Sequence, residues 1–371
     1  MIVASPQPSV SNRIPVLDGW RGIAISFVVI SHSIGWGTHL TQGQLHEALV
    51  TLGHQGVNIF FALSGFLITS RLLLEHRRSG RISLKGFYIR RVWRILPPYW
   101  AYLLFIGCLT FLGYLHPARH ELLSCLLFWR NYLPYTLTDL TRDSYFTGHF
   151  WSLAVEEHFY LIWPVLLVTV GVKRGGLASG LFAASIALYR WMGRGAHIPL
   201  IALAVGDHVR TDFRLDSLLW GCCLAFFAAN REIHLSWRVG RLLVCALIVV
   251  YGAMTFRELW GSVIWGPLVP TGLVAVTIVS GENTLSSFLS LPVLQWLGRL
   301  SYSIYIWQQF FIANLTASHP FGIFQSVPLG IAVAVAVAAA SFYLIERPFT
   351  RFGRFLSLEP SISSSAAVAG E

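Results

Sequence analysis

Runs of about 20 predominantly apolar residues recur along almost the whole of this chain. A helix of that length rises roughly 30 Å, which is the thickness of the hydrocarbon core of a bilayer. In lipid every backbone N–H and C=O must find its partner within the protein, so continuous apolar runs of this kind fold as helices packed into a bundle. Ten runs are expected to span, at 16–36, 56–75, 95–115, 150–172, 175–193, 212–229, 240–257, 261–280, 293–314 and 326–346. The stretch Leu122–Leu133 is apolar but too short to cross, and reads as an interfacial or re-entrant piece. The fold class is therefore an all-α polytopic membrane protein.

Charge sets the orientation. With 55% apolar and 12% charged residues the chain is not a water-soluble domain, and its net charge of +10 needs no nucleic acid to explain it. The basic residues gather at the ends of the apolar runs. If the N-terminus is cytoplasmic, they favour the cytoplasmic side by roughly three to one, as the positive-inside rule requires. This predicts both termini inside a cytoplasmic (plasma, or bacterial inner) membrane, with lipid as a partner. Residues 1–355 are expected to form one membrane domain, and 356–371, rich in Ser and Ala, a disordered cytoplasmic tail. The first run is too long for a secretory signal and lacks a small-x-small cleavage site. The five cysteines form no CxxC pair, so neither a disulfide framework nor a cysteine metal site is expected. His39, His46 and His54 lie in the stretch Gly37–Gln55, but spacings of seven and eight suit no compact metal site. No metal is expected.

Chemistry concentrates where charge intrudes on apolar sequence. Arg21 and His32 are eleven residues apart in the first run, which on a helix is three turns and a rise of roughly 16 Å. They share one face, and an ionisable residue at such depth commonly faces a bundle interior and serves a function there. The alternative is a structural histidine with Arg21 snorkelling to the interface. The segment Phe87–Tyr99 supplies Arg91 and Arg94 on one face, with Arg90 beside them, at the entry to the third run. Guanidinium groups at the lip of a membrane cavity suit a phosphorylated ligand, although basic residues also flank spans for topology alone. Pro97-Pro98 is expected to break the helix just beyond this cluster.

Gly148–Pro164 places Glu156 and Glu157 side by side in an apolar run, where they point about 100° apart and cannot both face lipid. Glu156 suits proton exchange, whereas Glu157 is equally explained as interhelical glue. Ser64-Gly65 more often means close helix packing than a nucleophile, and no Gly-x-Ser-x-Gly elbow is present. Asp212, Arg214 and Asp216 alternate near one end of the sixth run and either meet a polar ligand or pair with one another. Glu346-Arg347-Pro348 closes the last run and is expected to pair across helices.

Together these segments resemble the membrane acyltransferases of the acyltransferase-3 family, over about Arg13 to Arg354. The carriers are Arg21-(ten residues)-His32, Gly56–Ile68, Phe87–Tyr99, Trp151–Glu157, Leu297–Ser303 and Tyr343–Pro348, all in the same order. The resemblance implies a ten-span bundle that takes an acyl group, often acetyl, from cytoplasmic acyl-CoA. It implies transfer to a hydroxyl of a carbohydrate or glycosylated acceptor on the far side, as in O-acetylation of surface polysaccharide. By the same resemblance His32 is the catalytic histidine, and Arg21, Arg91 and Arg94 bind the acyl-CoA. Glu156 is then a second catalytic residue that orients the imidazole or handles its proton, with Arg90, Ser64 and Glu157 in support. No permanently bound cofactor is implied. Three positions depart from the pattern: Asn58 where relatives commonly have Asp, His158 where Gln is frequent, and Gln308 where His is frequent. The competing reading is a transporter or flippase using His32, Arg21 and Glu156 as a proton or ion relay. Such proteins usually carry internal repeats, and none is evident.

Overall fold

Glycines stand at several of the helix crossings, and there they decide how closely the backbone can pack. A computed structural model describes residues 15–35, 44–133, 142–195, 209–230, 236–256, 262–280, 284–312 and 322–357. Among these residues the regular structure is helical throughout, with no strand. The helices are α1 (Pro15–Ile30), α2 (Gln44–Ser79), α3 (Leu84–Phe111), α4 (Arg119–Leu126), α5 (Phe150–Val170), α6 (Val172–Gly195) and α7 (Thr211–Asn230). They continue as α8 (Trp237–Phe256), α9 (Ser262–Val279), α10 (Thr284–Leu289), α11 (Pro292–Phe311), α12 (Leu329–Ser341) and α13 (Arg347–Leu356). Each of the ten apolar runs overlaps one of these helices. Four stretches, Leu45–Ser79, Leu84–Phe111, Tyr145–Val170 and Leu329–Leu356, are long and apolar enough to cross a membrane.

α1 packs between α2 and α11, while α7 packs on α2 and α6. Glycines make these crossings tight. A Cβ on Gly22 would lie 2.3 Å from the carbonyl oxygen of Leu294, and one on Gly298 would lie 1.8 Å from that of Asp18. Gly65 meets Leu218, and Gly221 meets Ala62, in the same way across α2 and α7. Without a hydrophobic drive between helices in lipid, such close approach is what holds a bundle together. Ser64-Gly65 thus divides its work, with Gly65 at the crossing. The core, including Phe61, Ile68, Tyr102, Ile106, Phe159 and Ile304, lies between α2, α3, α5 and α11. Large apolar residues such as Leu104, Leu161, Leu177 and Leu344 are exposed on the outside, as lipid-facing positions are.

Three sequence expectations change. Pro97 and Pro98 do not break their helix, because α3 runs unbroken from Leu84 to Phe111. The prolines leave the carbonyls of Trp93 and Arg94 without their usual helical donors, yet the flanking turns keep the helix going. Beside them the Ile95 carbonyl accepts a hydrogen bond from the Tyr302 hydroxyl at 2.7 Å. The second run was bounded at 56, whereas α2 starts at Gln44, so His46 and His54 lie on a helix rather than in a loop; His39 lies outside the described residues. The last run does not end at 346: it continues through a wide π-type turn, Phe342–Glu346, into α13. The expected tail beyond Ser357 lies outside the described residues. Leu122–Leu133 forms most of α4 and a 3-10 turn at Arg130–Tyr132.

Candidate active site

The intramembrane arginines converge. Arg21 from α1 and Arg91 and Arg94 from α3 line a cavity of about 430 Å³, closed on its other side by α11, the π-type turn and α13. That volume falls in the range that holds a drug-sized or nucleotide-sized ligand. The same three arginines, with Ser64, also line a second cavity of only about 70 Å³ that leads towards Ser152 and Tyr305. The two spaces therefore meet at the arginines: a wide vestibule and a narrow continuation. Arg91 is fixed by its guanidinium lying over the Tyr160 ring, 4.4 Å from the centroid. Arg21 Nε is buried without a hydrogen-bond partner. Arg90 lines neither of these cavities; it meets Glu75 at 3.4 Å and shares a third, small cavity with Arg91, Arg94 and Arg354.

Glu156 and Glu157 both line the narrow cavity. Ser64 Oγ donates to Glu156 Oε1 at 2.7 Å, and the Tyr160 hydroxyl donates to Ser64 Oγ at 3.3 Å. Tyr160 sits one helical turn from Glu156 on α5, so the Ser64 hydroxyl arriving from α2 completes a chain of three groups. Ser64 joins the site through this chain while its neighbour Gly65 forms the helix crossing.

His32 does not sit with Glu156. It lies in a wide π-type turn, Ser31–Gly35, that continues α1, and its Nδ1 is 3.0 Å from Gln308 Oε1 on α11. Such turns insert an extra residue into the helix and re-aim a side chain, often at a functional site. An amide oxygen only accepts, so His32 Nδ1 carries the proton and donates it. Its Nε2 lone pair is thereby left to accept a proton or attack a carbonyl carbon. Gln308 lies about one turn beyond Tyr305, the α11 residue at the far end of the narrow cavity. A second histidine lies close by. His149 Nε2 donates to the Ile306 carbonyl at 3.1 Å, leaving Nδ1 buried without a partner. Its own carbonyl accepts from the Tyr305 hydroxyl at 2.8 Å, and that hydroxyl in turn accepts from Ser152 Oγ at 2.5 Å. Polar groups thus line the narrow cavity from the vestibule arginines, past Glu156, to Ser152 and Tyr305. The two imidazoles lie beyond that lining, His149 joined to Tyr305 through its backbone carbonyl.

Beyond this geometry, the sequence has relatives. A family model described as an acyltransferase domain matches residues 14–346. The chain belongs to the acyltransferase-3 family. It is 29% identical over 384 residues to a protein of Staphylococcus aureus (strain COL) named "Putative O-acetyltransferase", covering 94% of this chain and 59% of the relative. It is 28% identical to "Putative peptidoglycan O-acetyltransferase YrhL" of Bacillus subtilis (strain 168), covering 92% and 55%, and 27% identical to "O-acetyltransferase OatA" of Staphylococcus aureus (strain NCTC 8325 / PS 47), covering 92% and 58%. The chain thus spans between 55% and 59% of the length of these relatives. No solved structure matches it.

Within this acyltransferase-3 chain, the three positions that depart from the family pattern have distinct surroundings. Asn58 bridges helices: its Nδ2 donates to the Gly266 carbonyl at 3.4 Å and its Oδ1 accepts from Ser217 Oγ at 3.3 Å. His158 Nδ1 meets Thr211 Oγ1 at 2.6 Å, away from both cavities. Gln308 is the partner of the candidate catalytic histidine. Sequence reasoning left it without a role, although a glutamine inside an apolar run is a signal of the same kind as Glu156. Asp212 and Asp216 pair with Arg210 and Arg190, and Arg214 lies over the Trp151 ring at 5.2 Å. Glu346 accepts from Ser303 Oγ at 2.8 Å, so this carboxylate does pair across helices, and Arg347 lines the vestibule.

Proposed function

We propose that this protein is an integral membrane O-acyltransferase that moves an acyl group, acetyl in the simplest case, from cytoplasmic acyl-CoA to a hydroxyl on the opposite side. The bundle has ten spans with both termini in the cytoplasm, in the cytoplasmic membrane. The acceptor is a carbohydrate or glycosylated molecule; a relative named for peptidoglycan makes a cell-wall glycan the first to test. The observation that carries this reading is the pairing of a wide, arginine-lined vestibule with a narrow continuation to Tyr305, about one turn of α11 before Gln308, the partner of His32. The donor's nucleotide and phosphates need the larger space and the guanidinium groups of Arg21, Arg91 and Arg94. Only a thin chain fits the narrow one, which suits the arm that carries a thioester.

In the transfer the thioester C–S bond breaks and an ester C–O bond forms. The acceptor hydroxyl gives its proton to His32 Nε2, and a proton ends on the departing thiolate. Gln308 holds the imidazole in the tautomer this requires, a task that a carboxylate performs in hydrolase triads. Glu156, joined to Ser64 and Tyr160 at the donor end, handles the proton there, with Glu157 beside it. The same geometry serves a route in which His32 first carries the acyl group itself. Exchange of labelled CoA into acetyl-CoA without acceptor separates the two, because only an acyl-enzyme supports it.

The test is His32→Ala in membranes. Alkali-released acetate from the cell envelope is expected to fall roughly 10²–10⁴-fold, the usual worth of acid–base catalysis, with insertion unchanged. A variant that inserts normally and keeps full transfer ends the reading. Mass spectrometry of glycans and lipids from cells with and without the chain reports acceptor and acyl mass together.

A further inference from the structure

The vestibule has a second wall that the transfer chemistry does not use. Beyond Arg21, Arg91 and Arg94 it is lined by Arg71 of α2, by Arg299 in the first half of α11 and by Arg347, Arg351 and Arg354 of α13. The last three follow at i, i+4 and i+7, so they form one face of a helix. The opposite side of α13 is docked on α3: Phe349 stacks on Trp93 with centroids 5.7 Å apart, and Phe352 meets the same ring edge-on at 4.8 Å. Gly353 lies so near that a Cβ there would come within 2.5 Å of Trp93 Cβ. This docking fixes which way the arginine face turns.

Topology explains basic residues at a helix end. It does not explain four guanidinium groups brought by α11 and α13 to one cavity of about 430 Å³, where they repel one another. Only Asp18 and Glu346 oppose the arginines in the lining, and Glu346 is already engaged by Ser303. None of the four lines the narrow cavity, so they lie at the end of the vestibule farther from Glu156. A ligand that reaches inward through Arg21, Arg91 and Arg94 meets them with its outer end.

We propose that Arg299, Arg347, Arg351 and Arg354 form a phosphomonoester subsite that selects donors whose adenosine carries a 3′-phosphate. This rests on the reading of the donor as an acyl-CoA. A phosphomonoester carries about −1.5 to −2 charge near neutrality and three acceptor oxygens, which suits a cluster of guanidinium donors. An anionic phospholipid would present a similar headgroup. The continuation of about 70 Å³ admits one thin chain, however, and not a pair of acyl tails.

The experiment needs no turnover. Full-length protein in phosphatidylcholine nanodiscs is titrated with adenosine 3′,5′-bisphosphate and with 5′-AMP, which differ only in the 3′-phosphate. The bisphosphate is expected to bind at least about tenfold more tightly, as loss of one charge-assisted contact predicts. Arg351→Gln/Arg354→Gln should bring the two ligands within about twofold. Arg299→Gln, on another helix, should weaken the bisphosphate selectively and decides the matter if the double variant fails to insert. Equal wild-type affinities overturn the proposal, as does a preference that survives these substitutions. Loss of bisphosphate binding in phosphatidylglycerol nanodiscs also overturns it, in favour of a lipid occupant. Acetyl-CoA turnover is assayed in parallel. Absent turnover with an intact preference strikes the acyl-transfer reading and leaves the subsite standing; turnover without a preference does the reverse.

Discussion

Two groups of arginines sit within the apolar body of this acyltransferase-3 family chain, and they are treated in opposite ways. In the region of α6 and α7, two arginines each hold an anion. Arg190 meets Asp216 in a buried ion pair and also donates to the Phe213 carbonyl at 2.8 Å. Arg210 holds Asp212 through two hydrogen bonds of 3.1 and 3.0 Å. Around the vestibule the arginines outnumber the carboxylates several-fold, and Arg91 rests on a tyrosine ring instead of an acid. Paired charges close a structure, whereas surplus charges of one sign in a cavity leave work for a ligand. The comparison separates arginines that hold the bundle from arginines left in surplus around a cavity.

Substitutions break or sharpen that division. The largest effect is expected from Asp216→Leu, which strands Arg190 in a buried site; loss of one partner of such a pair costs about 3–5 kcal/mol. Thermal unfolding in detergent should show it, and Arg190→Leu/Asp216→Leu should recover much of the loss. Arg91→Gln should do the opposite, lowering transfer by about 10²-fold, equivalent to about 2.7 kcal/mol, with the melting temperature unchanged. Envelope acetate and a melting curve on the same preparation read both quantities. Arg91→Lys keeps the charge but loses the planar fork, so the KM for acetyl-CoA should rise about tenfold. A lysine that serves equally well there would mean the arginine acts only as a topological charge. Arg210→Gln is expected to move stability by no more than about 1 kcal/mol, because its pair with Asp212 is partly exposed.

Sequence alone reveals which residues are costly, and less of what relieves the cost. Arg21, Arg91, Arg94 and Glu156 were legible because charge in an apolar run needs a reason, and they do meet around the two connected cavities. His32 was legible for the same reason, but its partner was not. Glu156 looked the natural helper, since a carboxylate is the stronger acceptor, yet tertiary packing gives the imidazole to Gln308. Pro97-Pro98 misled because proline's local penalty is certain while its outcome depends on the neighbouring turns. The arginine face of α13 had readable helical spacing. Its direction depends on Trp93, more than 250 residues away in the chain, and no local pattern reports that contact.

The glycine crossing of α1 on α11 bears on the imidazole as well as on packing. Where Gly22 and Gly298 bring backbone against backbone, no layer of side chains lies between the helices to slide or repack. His32, in the turn that continues α1, and Gln308, on α11, are carried by that same helix pair. The packing that joins α1 to α11 thus also keeps the imidazole beside its Gln308 acceptor.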